Sequence, residues 1–218
     1  MDNVNIYADN SQMTKRTANT PYHHGDLRQA LLTAAYALLD QSGLESVTIR
    51  AVARDIGVAH SAPANHFRDR KALLTAMATA VFADLAGAIA AELDPNSSTT
   101  KPKDRRDRIG VFAETLINFG LSHPHRYRLL WRRDCLDDTD VGLQNGMDQI
   151  YDALLLELGA RDTGRSEETD AIALWSMLHG YISMRLDGNL IAKTDRVSGV
   201  ARHKAIVDVL FDGIGGAP

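Results

Sequence analysis

The sequence predicts an all-α protein, and three observations support that fold class. Alanine and leucine recur throughout the 218 residues, whereas aromatic residues make up only 6% of them, and this composition favours helices. Apolar residues return every three to four positions in one segment after another, which is the spacing of a buried helix face. No segment alternates apolar and polar residues as a half-buried strand does, and no internal repeat is present.

Composition also restricts the class of protein. Apolar residues at 44% and charged residues at 24% are ordinary for a globular chain. The single cysteine, Cys135, excludes an internal disulfide framework. The N-terminus is polar without a signal-peptide core, and no apolar run approaches the roughly 18 residues that a membrane span requires. We therefore expect a cytoplasmic protein without a membrane partner.

The chain begins with a polar, aperiodic stretch, residues 1–20, which we expect to be a disordered tail. A first helix is predicted over residues 26–41, and Gly43 ends it with a left-handed cap. The buried face of this helix is predicted to consist of Leu27, Leu31, Ala34, Ala35, Leu38 and Leu39.

Two short helices joined by a glycine turn follow. The first of the pair is predicted over residues 48–56 with Thr48 as its N-cap, and Gly57 supplies the positive φ of the turn. The second is predicted over residues 60–67, where Pro63 is tolerated only in the first turn because it lacks an N–H. This geometry delivers the second helix of the pair into the major groove of DNA. The pattern therefore predicts a helix-turn-helix DNA-binding domain.

The rest of the chain is predicted to be a helical bundle. A fourth helix, capped by Asp69, is predicted over residues 70–93, and a loop follows over 94–103. Five further helices are predicted at about 105–121, 124–134, 140–158, 166–187 and 199–213. We therefore divide the chain into a tail (1–20), a helix-turn-helix domain (21–75) and a C-terminal bundle (76–218).

The distribution of charge agrees with this division. The whole chain has a formal charge of −4, but residues 11–75 hold eight Lys and Arg against five Asp and Glu. Residues 76–218 hold sixteen Lys and Arg against twenty-one Asp and Glu. The small basic excess therefore lies on the segment that is predicted to approach DNA phosphates.

Short motifs at fixed spacing carry a resemblance to a known family. Residues 22–75 resemble the N-terminal DNA-binding region of TetR-type transcriptional regulators. The matching motifs are Tyr22-His-His-Gly-Asp-Leu-Arg28, Thr48-Ile-Arg-Ala-Val-Ala53, Gly57-Val58, His66-Phe67 and Arg70-Lys-Ala-Leu-Leu74. Further on, Leu129-Leu-Trp131 and Leu174-Trp-Ser-Met-Leu-His-Gly180 look like a subgroup with a Trp-His-Gly element.

The resemblance implies a homodimer whose two heads bind a palindromic operator. It also implies a C-terminal domain that holds an unknown small-molecule effector, dimerises through its last two long helices and releases DNA when the effector binds, as a repressor does. The apolar residues available for the dimer interface are Ile172, Trp175, Ile182, Leu186, Ile206, Val209, Leu210 and Phe211. Two alternatives remain: a helical DNA-binding protein without an effector, and a helical small-molecule-binding protein that does not bind DNA.

The predicted DNA contacts are Thr48, Arg50, His60, Ser61, Asn65, His66, Arg70 and Lys71. Three of them match positions where family members contact phosphates: Thr48, His66 and Arg70. For Thr48 the alternative is a helix cap alone, and for His66 it is packing. The side chains at positions 60, 61 and 65 are predicted to face base edges, since Asn pairs with adenine and Ser or His donates to groove acceptors.

The chain departs from the family at two positions of this region. Ala59 stands where members usually carry a serine that caps the recognition helix, and Ala64 stands where they carry a tyrosine that touches a phosphate. Each loss removes hydrogen bonding worth about 1 kcal/mol.

The predicted ligand contacts are Phe112, Tyr127, Trp131, Met147, Tyr151, Trp175 and His179. A cavity with aromatic walls and few polar groups suits a planar or amphipathic small molecule, and the alternative is that most of these side chains form the core. The nearby arginines at 126, 128, 132 and 133 are expected to lie in solvent or to pair with Asp134, Asp137 and Asp138. No enzyme motif, cofactor motif or metal-ligand spacing is present, so we expect neither catalysis nor a cofactor or metal.

Overall fold

The computed structural model describes residues 24–94, 96, 104–159 and 166–215, with side chains from Leu27 to Val209. Within these ranges the chain forms eight α-helices and no strand, apart from one isolated bridge between Thr194 and Ala201. The all-α prediction is therefore confirmed. The predicted tail and most of the predicted loop at 94–103 lie outside the described residues, as do the side chains of Leu210 and Phe211.

The helices are α1 (His24–Ser42), α2 (Ile49–Asp55), α3 (Arg70–Leu93), α4 (Arg105–Ser122), α5 (Pro124–Leu130), α6 (Val141–Leu158), α7 (Glu167–Leu186) and α8 (Arg202–Gly215). We call residues 24–71, which include the first two residues of α3, the head, and residues 104–215 the body. Helix α5 ends earlier than predicted, because the backbone after Leu130 closes tight turns in which N–H groups bond three residues back. Helix α8 begins later than predicted, at Arg202.

Local sequence explains where five of these helices begin. Each is preceded by a side chain that accepts a hydrogen bond from the backbone N–H three residues further on, which typically contributes about 1 kcal/mol. The capping residues are Thr48, Asp69, Asp104, Asp140 and Ser166. The predicted caps at positions 48 and 69 are confirmed.

The segment after α2 differs from the prediction. Gly57 makes the predicted turn with a φ of 71°, but the segment predicted as a third α-helix forms only a short 3-10 turn, Ala62–Asn65. The N–H of Ala62 bonds to the carbonyl of Ala59, three residues back. Pro63 has no N–H with which to make the next α-helical bond, and it is buried.

Helix α3 joins the head to the body and packs against α4, α5 and α6. By length and composition it is apolar enough to cross a membrane, contrary to our expectation from the sequence, but half of that stretch is buried inside the protein. Its buried residues include Leu73, Leu74, Met77, Val81, Leu85 and Ile89, which follow the spacing of one helix face. The helix runs unbroken across residue 75, where the sequence analysis placed the domain boundary.

Close helix packing and one internal ion pair organise the body. Helix α6 approaches α3 at Gly146, where a Cβ would lie 2.8 Å from the Cβ of Phe82. Arg108 on α4 donates two hydrogen bonds, of 2.5 and 2.7 Å, to the buried carboxylate of Glu157 on α6. These contacts fix the helices that build the cavities described below.

Candidate nucleic-acid interface and ligand cavities

The predicted DNA contacts of the head lie mostly on its exposed surface. Thr48 is exposed at the start of α2, and its Oγ1 accepts the N–H of Ala51 at 3.1 Å. A threonine hydroxyl that caps a helix in this way still has a proton to donate to a phosphate. The other exposed members of the set are Arg50, His60, Ser61, Asn65 and Lys71. His66 is half-buried.

Arg70 differs from the other predicted contacts. Its Nε donates to the carbonyl of Val47 and its Nη2 to the carbonyl of Leu44, both at 2.7 Å. The carboxylate of Glu45 lies 3.7 Å from the same nitrogen. The guanidinium therefore holds the connection between α1 and α2, and we interpret Arg70 as a structural residue of the head instead of a phosphate contact.

The two positions that depart from the family contribute no polar group to the surface around the 3-10 turn. Ala59 and Ala64 are both exposed, so the surface lacks a hydroxyl and a phenol at these places. Ser61 makes no capping hydrogen bond. Buried Pro63 anchors the turn, while Asn65 stays exposed at its end.

The body contains an aromatic cluster centred on Trp131, just beyond the end of α5. The ring centroids of His179 and Trp175 lie 4.7 and 5.7 Å from that of Trp131, and those of Tyr127 and Phe82 lie 5.8 and 6.3 Å away. All four pairs meet edge to face, the arrangement that aromatic quadrupoles favour. The sequence prediction included every member of this cluster except Phe82.

Tyr127 and His179 share a hydrogen bond of 2.8 Å between the phenol oxygen and Nδ1. The hydroxyl donates when the imidazole carries its proton on Nε2. Burial raises the pKa of Tyr127, and the neighbouring indole N–H of Trp131 lowers that pKa by a smaller amount. Burial also lowers the pKa of His179. Both side chains are therefore held in their neutral forms.

The indole N–H of Trp131 is shielded from solvent. Among the described residues it meets no acceptor in hydrogen-bonding geometry, so its effect on the pKa of Tyr127 comes from its proximity and not from a formed hydrogen bond. A buried donor without an acceptor typically costs about 1–3 kcal/mol. The body therefore holds an unused hydrogen-bond donor beside its cavities.

One cavity, which we call the aromatic pocket, has a volume of about 220 Å³. It lies between α3, α6, α7 and the turn after α5. Its walls are Phe82, Trp131, Met147, Asp148, Tyr151, Ile172 and Trp175. Four of the seven predicted ligand contacts line it. Phe82 was not among the predicted contacts. It is a buried residue of α3, and sequence alone does not distinguish a core position from a pocket wall.

A second, larger opening of about 530 Å³ lies between the head and the body, and we call it the cleft. It is lined by Ser42, Gly43, Leu44, Glu45, His125, Tyr127, Arg128, Leu129, Trp131, Arg132, His179, Ser183, Leu186 and Asp187. Predicted ligand contacts Tyr127 and His179 lie here and not in the aromatic pocket, while Trp131 lines both. Phe112 is fully buried in the core and lines neither of these two cavities.

The arginines in and after α5 form ion pairs, one with the head and others within the body. Arg126 pairs with Asp40 of α1 at 2.6 Å and lies 4.7 Å from the ring centroid of Tyr36. The expectation of solvent or of a carboxylate close in sequence holds for Arg133, which is exposed, and for Arg132, which pairs with Asp134 at 2.8 Å. It does not hold for the pairing of Arg126. Long-range partners of this kind have no local signal in the sequence.

No group of three His, Cys, Asp or Glu side chains in the described part of the chain is arranged to hold a metal ion.

Two family models match the chain, one in its N-terminal part and one in the body. Residues 31–77 match the family model for bacterial regulatory proteins of the tetR family. Residues 110–205 match the model for the C-terminal domain of tetracyclin repressor-like proteins. Both descriptions are of regulators and not of enzymes. No protein with a curated description matches the chain.

Solved structures share this architecture over most of the chain. A protein with unknown function from Rhodococcus sp. RHA1 is 25% identical, with a TM-score of 0.68, over 89% of this chain and 98% of its own. The multidrug binding protein EbrR, complexed with imidazole, is 19% identical, with a TM-score of 0.60, over 93% and 97%. BioQ, solved with its double-stranded DNA operator, is 18% identical, with a TM-score of 0.54, over 90% and 100%.

Proposed function

Because this chain is a TetR-family transcriptional regulator, we propose that it is a ligand-responsive repressor that binds a palindromic operator as a homodimer. One observation carries the proposal: an exposed polar face on the head is joined by the continuous helix α3 to an aromatic pocket in the body. The proposed units are a DNA-binding domain at 21–75 and an effector-binding and dimerisation domain at 76–218, and we propose a cytoplasmic location.

On the DNA side, we assign two roles to the exposed residues. His60, Ser61 and Asn65 lie at or near the 3-10 turn and would read base edges in the major groove. The phosphate contacts would come from Thr48, Arg50, His66 and Lys71. The fold of BioQ, solved on its operator, supports a head of this design.

On the effector side, the volume and walls of the aromatic pocket suit a compact apolar or aromatic molecule. EbrR, which shares the fold, was solved with the small aromatic molecule imidazole. An occupant of the pocket would touch Phe82 on α3, the helix that leads directly to the head. To move the protein from 99% to 1% of the DNA-binding state, an effector must favour the other state by about 5.5 kcal/mol.

The proposed dimer interface involves α7 and α8. Ile172 and Met184 on α7 are 58% and 46% exposed, and Val209 on α8 is 70% exposed, although all three are apolar. Ile182, which we expected at this interface, is instead fully buried within its own chain. Exposed apolar side chains on the last two helices support their use in a symmetric contact.

The proposal is tested with the full chain and a pool of random duplexes. We expect selection to enrich a palindrome. The affinity of the protein for that duplex should fall steeply between low and moderate salt. Sedimentation velocity should give a dimer at micromolar concentration. A persistent monomer, or no duplex bound at any ionic strength, would contradict the proposal. An operator that no small molecule releases would favour the alternative of a DNA-binding protein without an effector.

A further inference from the structure

The predicted ligand contacts do not form one cavity. Four line the aromatic pocket and three line the cleft, with Trp131 in both sets. The cleft is also the place where the end of α1 and the turn after it face the body. There the head contributes Ser42, Gly43, Leu44 and Glu45. A Cβ added at Gly43 would lie 3.5 Å from the imidazole of His125, so the two sides approach closely.

The ionic groups of the cleft are largely neutralised by partners. Arg128 donates to Asp187 at 2.7 Å, and both line the cleft. Arg132 donates to Asp134 at 2.8 Å. A charged ligand would therefore have to give up hydration without gaining an unpaired opposite charge on the body side.

Polar groups that suit a neutral ligand are available around the cleft. His179 is held neutral, and its Nδ1 is occupied by the hydroxyl of Tyr127. That leaves Nε2 for another partner. Ser183 adds a hydroxyl on the same helix, and the edge of Trp131 adds an aromatic wall.

We propose that the cleft is a second small-molecule site, and that it takes a neutral molecule with a flat apolar face and one or two hydrogen-bonding groups. Its volume of about 530 Å³ falls within the usual range for small-molecule sites. An occupant touches the head and the body at once. That contact gives the site a direct influence on the orientation of the head, a consequence that depends on the proposed function.

The test uses 2-naphthol as a neutral planar probe and the full chain labelled with ¹⁵N. Backbone amide signals of Leu44 and Glu45 report the head side of the cleft, and those of Asp148 and Tyr151 report the aromatic pocket. We expect 2-naphthol to shift the head-side signals in a saturable way. Naphthalene-2-sulfonate, which has the same rings and a negative charge, is expected to do so at least tenfold more weakly.

Two matched substitutions on α7 separate the sites. Ser183→Phe fills the cleft and is expected to weaken the head-side titration at least tenfold without changing the behaviour of the pocket-side signals. Ile172→Phe, at the aromatic pocket, is expected to leave the head-side titration unchanged. Glu45→Phe closes the cleft from the opposite wall and replaces the first variant should that chain not fold; in this variant the amide of Leu44 alone reports the head side.

Two results would overturn the proposal: head-side signals that ignore 2-naphthol, or head-side shifts that persist in both cleft-filling variants. Equal binding of the sulfonate would overturn the preference for a neutral ligand. Operator binding is measured separately, so its absence in the parent chain would contradict the proposed function while these chemical-shift changes stand.

Discussion

Most of the predicted DNA contacts are exposed side chains of the head, whereas the predicted ligand contacts of the body lie in cavity walls or in the core, where several helices meet. Side chains such as Asn65 and Lys71 are exposed, so they add little to the stability of the fold. Trp131 and Phe82 contact each other across the body and belong to its packing. Substitutions should therefore separate function from stability in the head and combine them in the body.

The largest expected effect tests the body side of this comparison. Phe82→Ala removes a fully buried ring that packs against Gly146 and Trp131. We expect the free energy of unfolding to fall by about 3–5 kcal/mol, because a cavity replaces the ring. Urea unfolding measures this loss. Leu156→Ala, at a side chain that is 78% exposed on α6, is the control and should change stability by about 0.5 kcal/mol or less.

A second prediction concerns Arg70 and Lys71, which are neighbours in the chain but differ in their contacts. Arg70→Ala removes the two hydrogen bonds to the carbonyls of Leu44 and Val47. We expect it to lower the free energy of unfolding by about 2–3 kcal/mol and to speed amide exchange in the turn between α1 and α2. Lys71→Ala is expected to leave stability unchanged and to reduce the salt dependence of operator binding. Equal stability of the two variants would contradict the structural role of Arg70.

The third prediction tests the exposed face alone. Asn65→Ala is expected to weaken binding to the selected operator by about 1–3 kcal/mol, which is about 5-fold to 160-fold, because a bidentate base contact is lost. The melting temperature should not change, since Asn65 is exposed and makes no side-chain hydrogen bond in the described part of the chain. Anisotropy of a labelled duplex measures the affinity. Glu92→Ala, exposed on α3 in contact with solvent, serves as the control and should bind as the parent does.

The same contrast explains how far sequence reasoning reaches. The caps at Thr48 and Asp69 and the turn at Gly57 are local signals, and the structure confirms them. The prediction of a third α-helix was wrong. Pro63 has no N–H to donate, and the segment forms only a 3-10 turn. The role of Arg70 was not visible, because its partners lie more than twenty residues away along the chain.

In the body, sequence reasoning identified the right residue types without their arrangement. Aromatic side chains at helical spacing indicate either a core or a pocket, and Phe112 proved to be core. Whether Trp131 and His179 line one cavity or two depends on how α5 and α7 meet the head, and no local pattern encodes that. The pairing of Arg126 with Asp40, which joins those parts, is likewise a long-range contact.

The smallest expected effect is a dependence of stability on pH that comes from the body. Burial lowers the pKa of His179 in the folded chain, so on acidification the unfolded chain takes up its proton first, near the ordinary histidine value of about 6.5. The stabilisation from the neutral imidazole is therefore complete above that pH and is lost as the pH falls through the folded pKa. We expect urea midpoints to decrease from pH 7.5 to 5.5 by less in His179→Gln than in the parent.

Glutamine at position 179 keeps a hydrogen-bonding group beside Tyr127 but cannot titrate in this range, so the comparison isolates the proton. Burial lowers the pKa of His203 as well. A double variant with His203→Gln should therefore lose still more of the pH dependence. If the parent and the single variant lose stability equally on acidification, the neutral, buried imidazole is not a stabilising feature of the body. The stability of the packed body would then come from its apolar side chains and not from the neutral imidazole.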